Sequence, residues 1–259
     1  GGALIDYARD IPARMAALRA AFETFAAAGG DPAFDAYRAA GGAALERFAT
    51  HQALSDRHGA YWTAWPQALQ DPASPAVARE AAGMPRDIAF HAWAQWQAQT
   101  QLAGANARAR AAGLRHGLYL DLAVGTHPAG AETWEDRDSF ARGASLGAPP
   151  DAFSADGQNW GLAPFNPRAL LADGFAALAQ TLRTQLQFSG ALRGGITSWA
   201  STARSGVPDN GRARGLCADA ARRDAGRDPA GGRARRCAWW WARIWATFPA
   251  GCAPRWRPA

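Results

Sequence analysis

Residues 117–125, GLYLDLAVG, form a short apolar run bounded by Gly at both ends. A run of this kind reads as a strand buried on both faces, as parallel sheets use. A long stretch of Gly, Pro and polar residues follows, and so long a structureless connection inside a compact domain usually carries function. Asn166-Pro167 then opens a helix, an N-cap followed by Pro at the first helical position. That helix carries Leu171, Phe175, Leu178, Leu182 and Leu186 on one face and stops before Gly190, where GALR (190–193) begins a second strand. Strand, loop, helix, strand is the βαβ order, and it places the chain in the α/β class with a parallel sheet or barrel.

The first hundred residues read differently. Ile11, Met15, Leu18, Phe22 and Phe25 recur at spacings of three and four and end at Gly29-Gly30, which predicts an amphipathic helix. A second helix is expected over 34–48, around Phe34, Tyr37, Leu45 and Phe48, and a long third one shows a face of Phe90, Trp93, Trp96 and Leu102. Between them lies a Trp-rich stretch with turn signals at Pro66, Asp71-Pro72 and Ser74-Pro75. No run of 18 apolar residues and no signal peptide occurs, so the expected protein is soluble and cytoplasmic, with no membrane partner. The first residue is not Met, which suggests a fragment. His51, His58, His91, His116 and His127 show no metal-binding spacing, so no metal is inferred.

After Arg193 the patterning stops. Residues 194–259 contain 12 of the 28 Arg and only four Asp, a net of +8, whereas the preceding 193 residues carry a net of −2. All three Cys (Cys217, Cys237, Cys252) and six of the 12 Trp also lie there. The Cys spacing fits neither zinc nor a disulfide framework. Three regions are therefore expected: a helical, Trp-containing region over 1–113, an α/β segment over 114–193, and a largely irregular tail over 194–259.

The strings GASLGAPPD and GQNWGLAPFNP within residues 117–193 are long and unusual. They resemble the 4-α-glucanotransferases (amylomaltases, glycoside hydrolase family 77), and a looser similarity reaches back through the Trp-rich helices. The resemblance implies part of a (β/α)8 TIM-type barrel, incomplete here, with an N-terminal helical region. It implies transfer of α-1,4-glucan segments between maltooligosaccharides with retention, without a cofactor. Barrel enzymes place their chemistry in the loops after the strands, as the long loop after GLYLDLAVG would be. Sugars present flat CH faces and rings of hydroxyls, so an aromatic platform beside side-chain amides suits them, and Trp160 with Gln158 and Asn159 supplies both. From composition alone Trp160 is equally a core plug; the resemblance favours glucan contact. Asp121, in an apolar strand, is expected to be buried and either paired or substrate-binding. Arg193 matches the family arginine two places before the nucleophile, where it would hold that aspartate ionised; without the aspartate it is a surface charge.

Retaining transfer requires two carboxyl groups about 5–5.5 Å apart. The family carries its nucleophile in GALRIDHVMG and its acid/base in GEDLG; here GALR is followed by GGITSWAS, and neither carboxylate is present. The genetic code offers a reason. Trp has one codon, TGG, so Trp239-Trp240-Trp241-Ala242 read one nucleotide early becomes a Leu, Val or Met codon followed by Val-Val-Gly, and the next codons permit Glu-Asp-Leu and force Gly. The same shift over Ile196–Ala200 permits Asp-His-Val-Met and forces Gly. Two family motifs therefore lie in one alternative phase and in the right order. Residues from about 194 onward are read as mostly frameshifted translation, which also accounts for the surplus of Arg, Trp and Cys. The expected chain is a catalytically inactive family member, with no catalytic residue assigned and maltooligosaccharides or α-1,4-glucans as partners. One alternative is a glucan-binding fragment without turnover. Another takes the Arg- and Trp-rich tail at face value as a single-strand nucleic-acid binder, a partner class the main reading excludes. The sequence sets no oligomeric state.

Overall fold

The computed structural model describes residues 4–123, 125–148, 152 and 155–193. The expected irregular tail and both out-of-phase motifs lie outside the described residues. The chain forms two compact units, one from Gly1–Ala105 with Ala129–Glu135 and the other from Asn106–Pro128 with Asp136 onward.

The first unit is helical: α1 (Tyr7–Ala27), α2 (Pro32–His58), two short 3-10 turns, α3 (Pro75–Ala82), most of α4 (Pro85–Ala111) and α5 (Ala131–Glu135). The helix starts follow local chemistry. Asp6 and Asp31 accept backbone N–H groups from Arg9 and Ala33, and Ser74 accepts from Val77 ahead of Pro75. Each cap satisfies a donor that the first helical turn leaves free. The second helix outruns its expected end at residue 48, and Gly42, at φ 51°, breaks its regularity where an L side chain would be strained. The core is aromatic: Phe22, Phe90, Trp93, Trp65 and Trp134 are all buried. Phe22 meets Phe90 edge-on with centroids 5.7 Å apart, an arrangement that the ring quadrupoles favour. Of the face expected on α1, Phe22 is buried and Met15 and Phe25 pack against the core, whereas Ile11 and Leu18 are exposed.

The second unit holds the strands. The β1 strand (Tyr119–Asp121) pairs in parallel with β4 (Ala191–Arg193), in the register Tyr119–Ala191, Leu120–Leu192, Asp121–Arg193. The connection between them carries the antiparallel hairpin strands β2 (Leu146–Ala148) and β3 (Gln158–Leu162), then α6 (Pro167–Ala172) and α7 (Ala176–Leu186). The βαβ order expected from the sequence is thus present. Leu122, Leu170, Phe175, Leu178 and Leu182 form its core.

Three expectations are corrected. The connection after β1 is not structureless, because it contains α5, β2 and β3. The helix expected from Asn166 to Gly190 is two helices, with Gly174 and Phe175 both at φ 67° in the left-handed region. The Asp173 carboxylate accepts the Phe175 N–H at 2.8 Å and helps hold the break, so Leu170 faces the core and Leu171 is 64% exposed. The strand expected to be buried on both faces is not: among the described residues it has one parallel partner, Leu192 of that partner packs on the core of Leu170, Leu178 and Leu182, and Tyr119 is 67% exposed.

Candidate functional site

The β2–β3 hairpin presents the three residues expected at a sugar platform. Gly147 pairs with Asn159 and Ala148 with Gln158, yet the next residue back on β2, Leu146, pairs with Leu162. One step on β2 therefore spans three on β3, and Trp160 and Gly161 are the residues bulged out between. Bulges next to functional sites commonly re-aim a side chain. Gly161 takes φ 65°, a conformation that suits Gly, and Trp160 beside it is 38% exposed. Gly147 allows the strands to close, since a Cβ there would collide with the Gln158 carbonyl.

Polar contacts fix the indole. The Trp160 indole N–H donates to Gln158 Oε1 at 2.9 Å. Asn159 Oδ1 accepts the Gly161 N–H at 2.9 Å and the Ser145 hydroxyl at 2.6 Å. Because a backbone N–H can only donate, the Gly161 contact establishes which end of the Asn159 amide is the oxygen and makes Ser145 the donor; the Leu146 carbonyl, at 3.1 Å, is the more distant of the two acceptors near that single proton. Ser145 was not singled out from the sequence. Its only signal there is its position within GASLG, and its role requires knowing which strand β3 pairs with.

Asp121 and Arg193 form a second pair. They face each other at the ends of β1 and β4, and Arg193 Nη1 donates to Asp121 Oδ2 at 3.2 Å. The expectation of a buried Asp121 is corrected: its side chain is 66% exposed and that of Arg193 71%, so a two-stranded sheet leaves the carboxylate in water with its ion partner. Of the two uses foreseen for this carboxylate, pairing is the one the geometry displays. The route from this pair to the hairpin is short in sequence. Gly125, four residues after Asp121, lies against Leu146 and Leu162, and Thr126 bridges Ala163 just beyond β3.

Among the described residues, His51 is the group whose ionisation the fold alters most. It is 3% exposed, its ring lies 5.1 Å from that of Trp65 and 5.5 Å from that of Trp134, and burial lowers its pKa from 6.5 to about 4. Among the described residues, no group of three or more His, Cys, Asp or Glu could hold a metal ion, and no helix is long and apolar enough to cross a membrane.

The described residues thus define a mixed α/β protein with a helical unit, a parallel strand pair and an indole displayed on a bulged hairpin. A family model described as 4-alpha-glucanotransferase matches residues 2–194. The chain belongs to this family. It is 38% identical over 181 residues to a 4-alpha-glucanotransferase of Mycobacterium tuberculosis, a match covering 70% of this chain and 25% of the relative. It is 36% identical over 149 residues to that of Haemophilus influenzae, covering 58% and 21% respectively. Among solved structures, amylomaltase from Corynebacterium glutamicum aligns with a TM-score of 0.53 at 34% identity, over 71% of this chain and 24% of that one. Amylomaltase from Streptococcus agalactiae, solved in complex with acarbose, aligns at 0.65 and 20% identity over 73% and 40%, a likeness of fold. The chain spans about a quarter of the length of the mycobacterial relatives that it matches.

Proposed function

We propose that this chain is a glucan-binding piece of a 4-α-glucanotransferase that has no transferase activity of its own. The observation that carries the binding half is the Trp160 indole, set on a bulge, 38% exposed, with its N–H already satisfied by Gln158. An aromatic face beside amide donors matches the alternating CH and hydroxyl surface of an α-1,4-glucan, so Trp160, Gln158 and Asn159 are proposed as the platform. That related amylomaltase was solved with acarbose supports a sugar as the ligand class. Asp121 and Arg193, at the strand ends, are proposed to border the same site.

The inactive half rests on chemistry. Retention needs a nucleophile and an acid/base in close apposition, and the family match ends at residue 194, one residue past GALR, where the in-frame resemblance also ends. In this reading residues 1–113 are the helical region, 114–193 part of an incomplete (β/α)8 barrel, and 194–259 mostly out-of-phase translation.

Maltooligosaccharides should quench the Trp fluorescence of the purified chain, and Trp160→Ala should abolish the effect. Incubation with maltotriose should release no glucose; measurable release would refute the inactive assignment. Resequencing the gene across codons 190–250 tests the reading-frame argument directly.

A further inference from the structure

We infer that Ser145 and Asn159 are positioning residues for Trp160, joined through one amide oxygen, and that this oxygen serves the platform and accepts nothing from the sugar. The inference rests on the glucan-binding reading above and revises one of its assignments. Its basis is a count of lone pairs. An amide oxygen offers two acceptor sites. Those of Asn159 receive the Gly161 N–H at 2.9 Å and the Ser145 hydroxyl at 2.6 Å, so no acceptor site remains for a ligand.

Both bonds act on the bulge. The first crosses over Trp160, from the residue before it to the residue after it, and holds Gly161 at φ 65°. The second ties that turn to Ser145, the residue preceding β2, next to Leu146, where the register jumps. A bulge whose two inserted residues have no cross-strand partner owes its shape to contacts of this kind. Trp160 is then held from both sides, by Asn159 through the backbone and by Gln158 at the indole nitrogen. Ordering the platform before the ligand arrives removes part of the entropy cost of binding.

The test uses the full-length chain, maltopentaose as the probe and isothermal titration as the readout, with amide exchange at Gly161 measured on the same samples. Ser145→Ala should weaken binding roughly 3- to 10-fold, the range of one net hydrogen bond, and speed Gly161 exchange. Asn159→Ala should weaken binding at least as much. Ser145→Thr, which keeps the hydroxyl, should bind as the natural chain does, and the unfolding midpoint of all three variants should stay in place. Loss of binding in Asn159→Ala alone, with Ser145→Ala unaffected, would make Asn159 a sugar ligand and overturn the inference. A fall in the unfolding midpoint of Ser145→Ala that Ser145→Thr restores would make the contact merely structural and also overturn it. If the natural chain binds no maltopentaose, the glucan reading fails separately. Gly161 exchange then decides the positioning role: unchanged protection in Ser145→Ala removes it, and lost protection upholds it.

Discussion

An imidazole lodged between two indoles, as His51 is between Trp65 and Trp134, gives up water and gains little that favours charge. Gln52 Nε2 and Ser55 Oγ approach Nδ1 at 3.3 and 3.4 Å, while Nε2 has no hydrogen-bond partner among the described residues. Burial brings the folded pKa to about 4, below the ordinary 6.5, so the unfolded chain binds more protons across that interval. Stability therefore falls as pH drops from 6.5 and levels off below about 4, by a total of about 3 kcal/mol at about 1.4 kcal/mol per pH unit. Urea unfolding at several pH values should show this slope, and His51→Gln should flatten it relative to the natural chain. The Asp121–Arg193 pair illustrates the opposite regime. Both side chains are exposed, so Asp121→Asn should cost no more than about 1 kcal/mol in the same assay. Neither residue announced its partner in the sequence, because the pairing depends on the register of two strands whose paired residues lie 72 apart in the chain.

Elements were legible where their signals are local. Caps such as Asp31-Pro32, Ser74-Pro75 and Asn166-Pro167 sit within a residue or two of the helices they start, and each helix begins where its cap does. The hairpin was not legible. The β2 strand is Leu-Gly-Ala, too short to show a period of two, and β3 is interrupted by its own bulge. The division of α6 from α7 had a signal in Gly174, but the leucine spacing ran across it and masked it. Gly174 has open space where a Cβ would go and φ 67°, so Gly174→Ala meets only backbone strain and should cost about 1–2 kcal/mol. Gly147→Ala differs in kind. Its Cβ would strike backbone that cannot swing aside, so the hairpin must open, and glucan binding should fall further than global stability does.

For the molecule as a whole, two levels of information were readable in different ways. Fold class and family followed from order and from unusual strings, which a stretch of this length is enough to carry. The proposed inactivity rests on a requirement of the chemistry, two carboxyl groups side by side, set against a family match that ends at residue 194. What the sequence left obscure was how its first hundred residues close. Trp134 is 1% exposed and its indole N–H donates to the Leu69 carbonyl at 3.0 Å, while Arg47 bonds Glu135 at 2.8 Å on the same short helix. The helical unit is therefore completed by seven residues, 129–135, that arrive after β1 has already been made. Anyone trimming this protein at residue 113, where composition invites the cut, would discard its keystone. The shortened product should expose Trp65 and melt well below one ending at 135, by about the 3–5 kcal/mol typical of a lost buried aromatic. Synthesis order carries the same lesson: the N-terminal helices emerge first yet wait for a plug translated some twenty residues after their last helix ends.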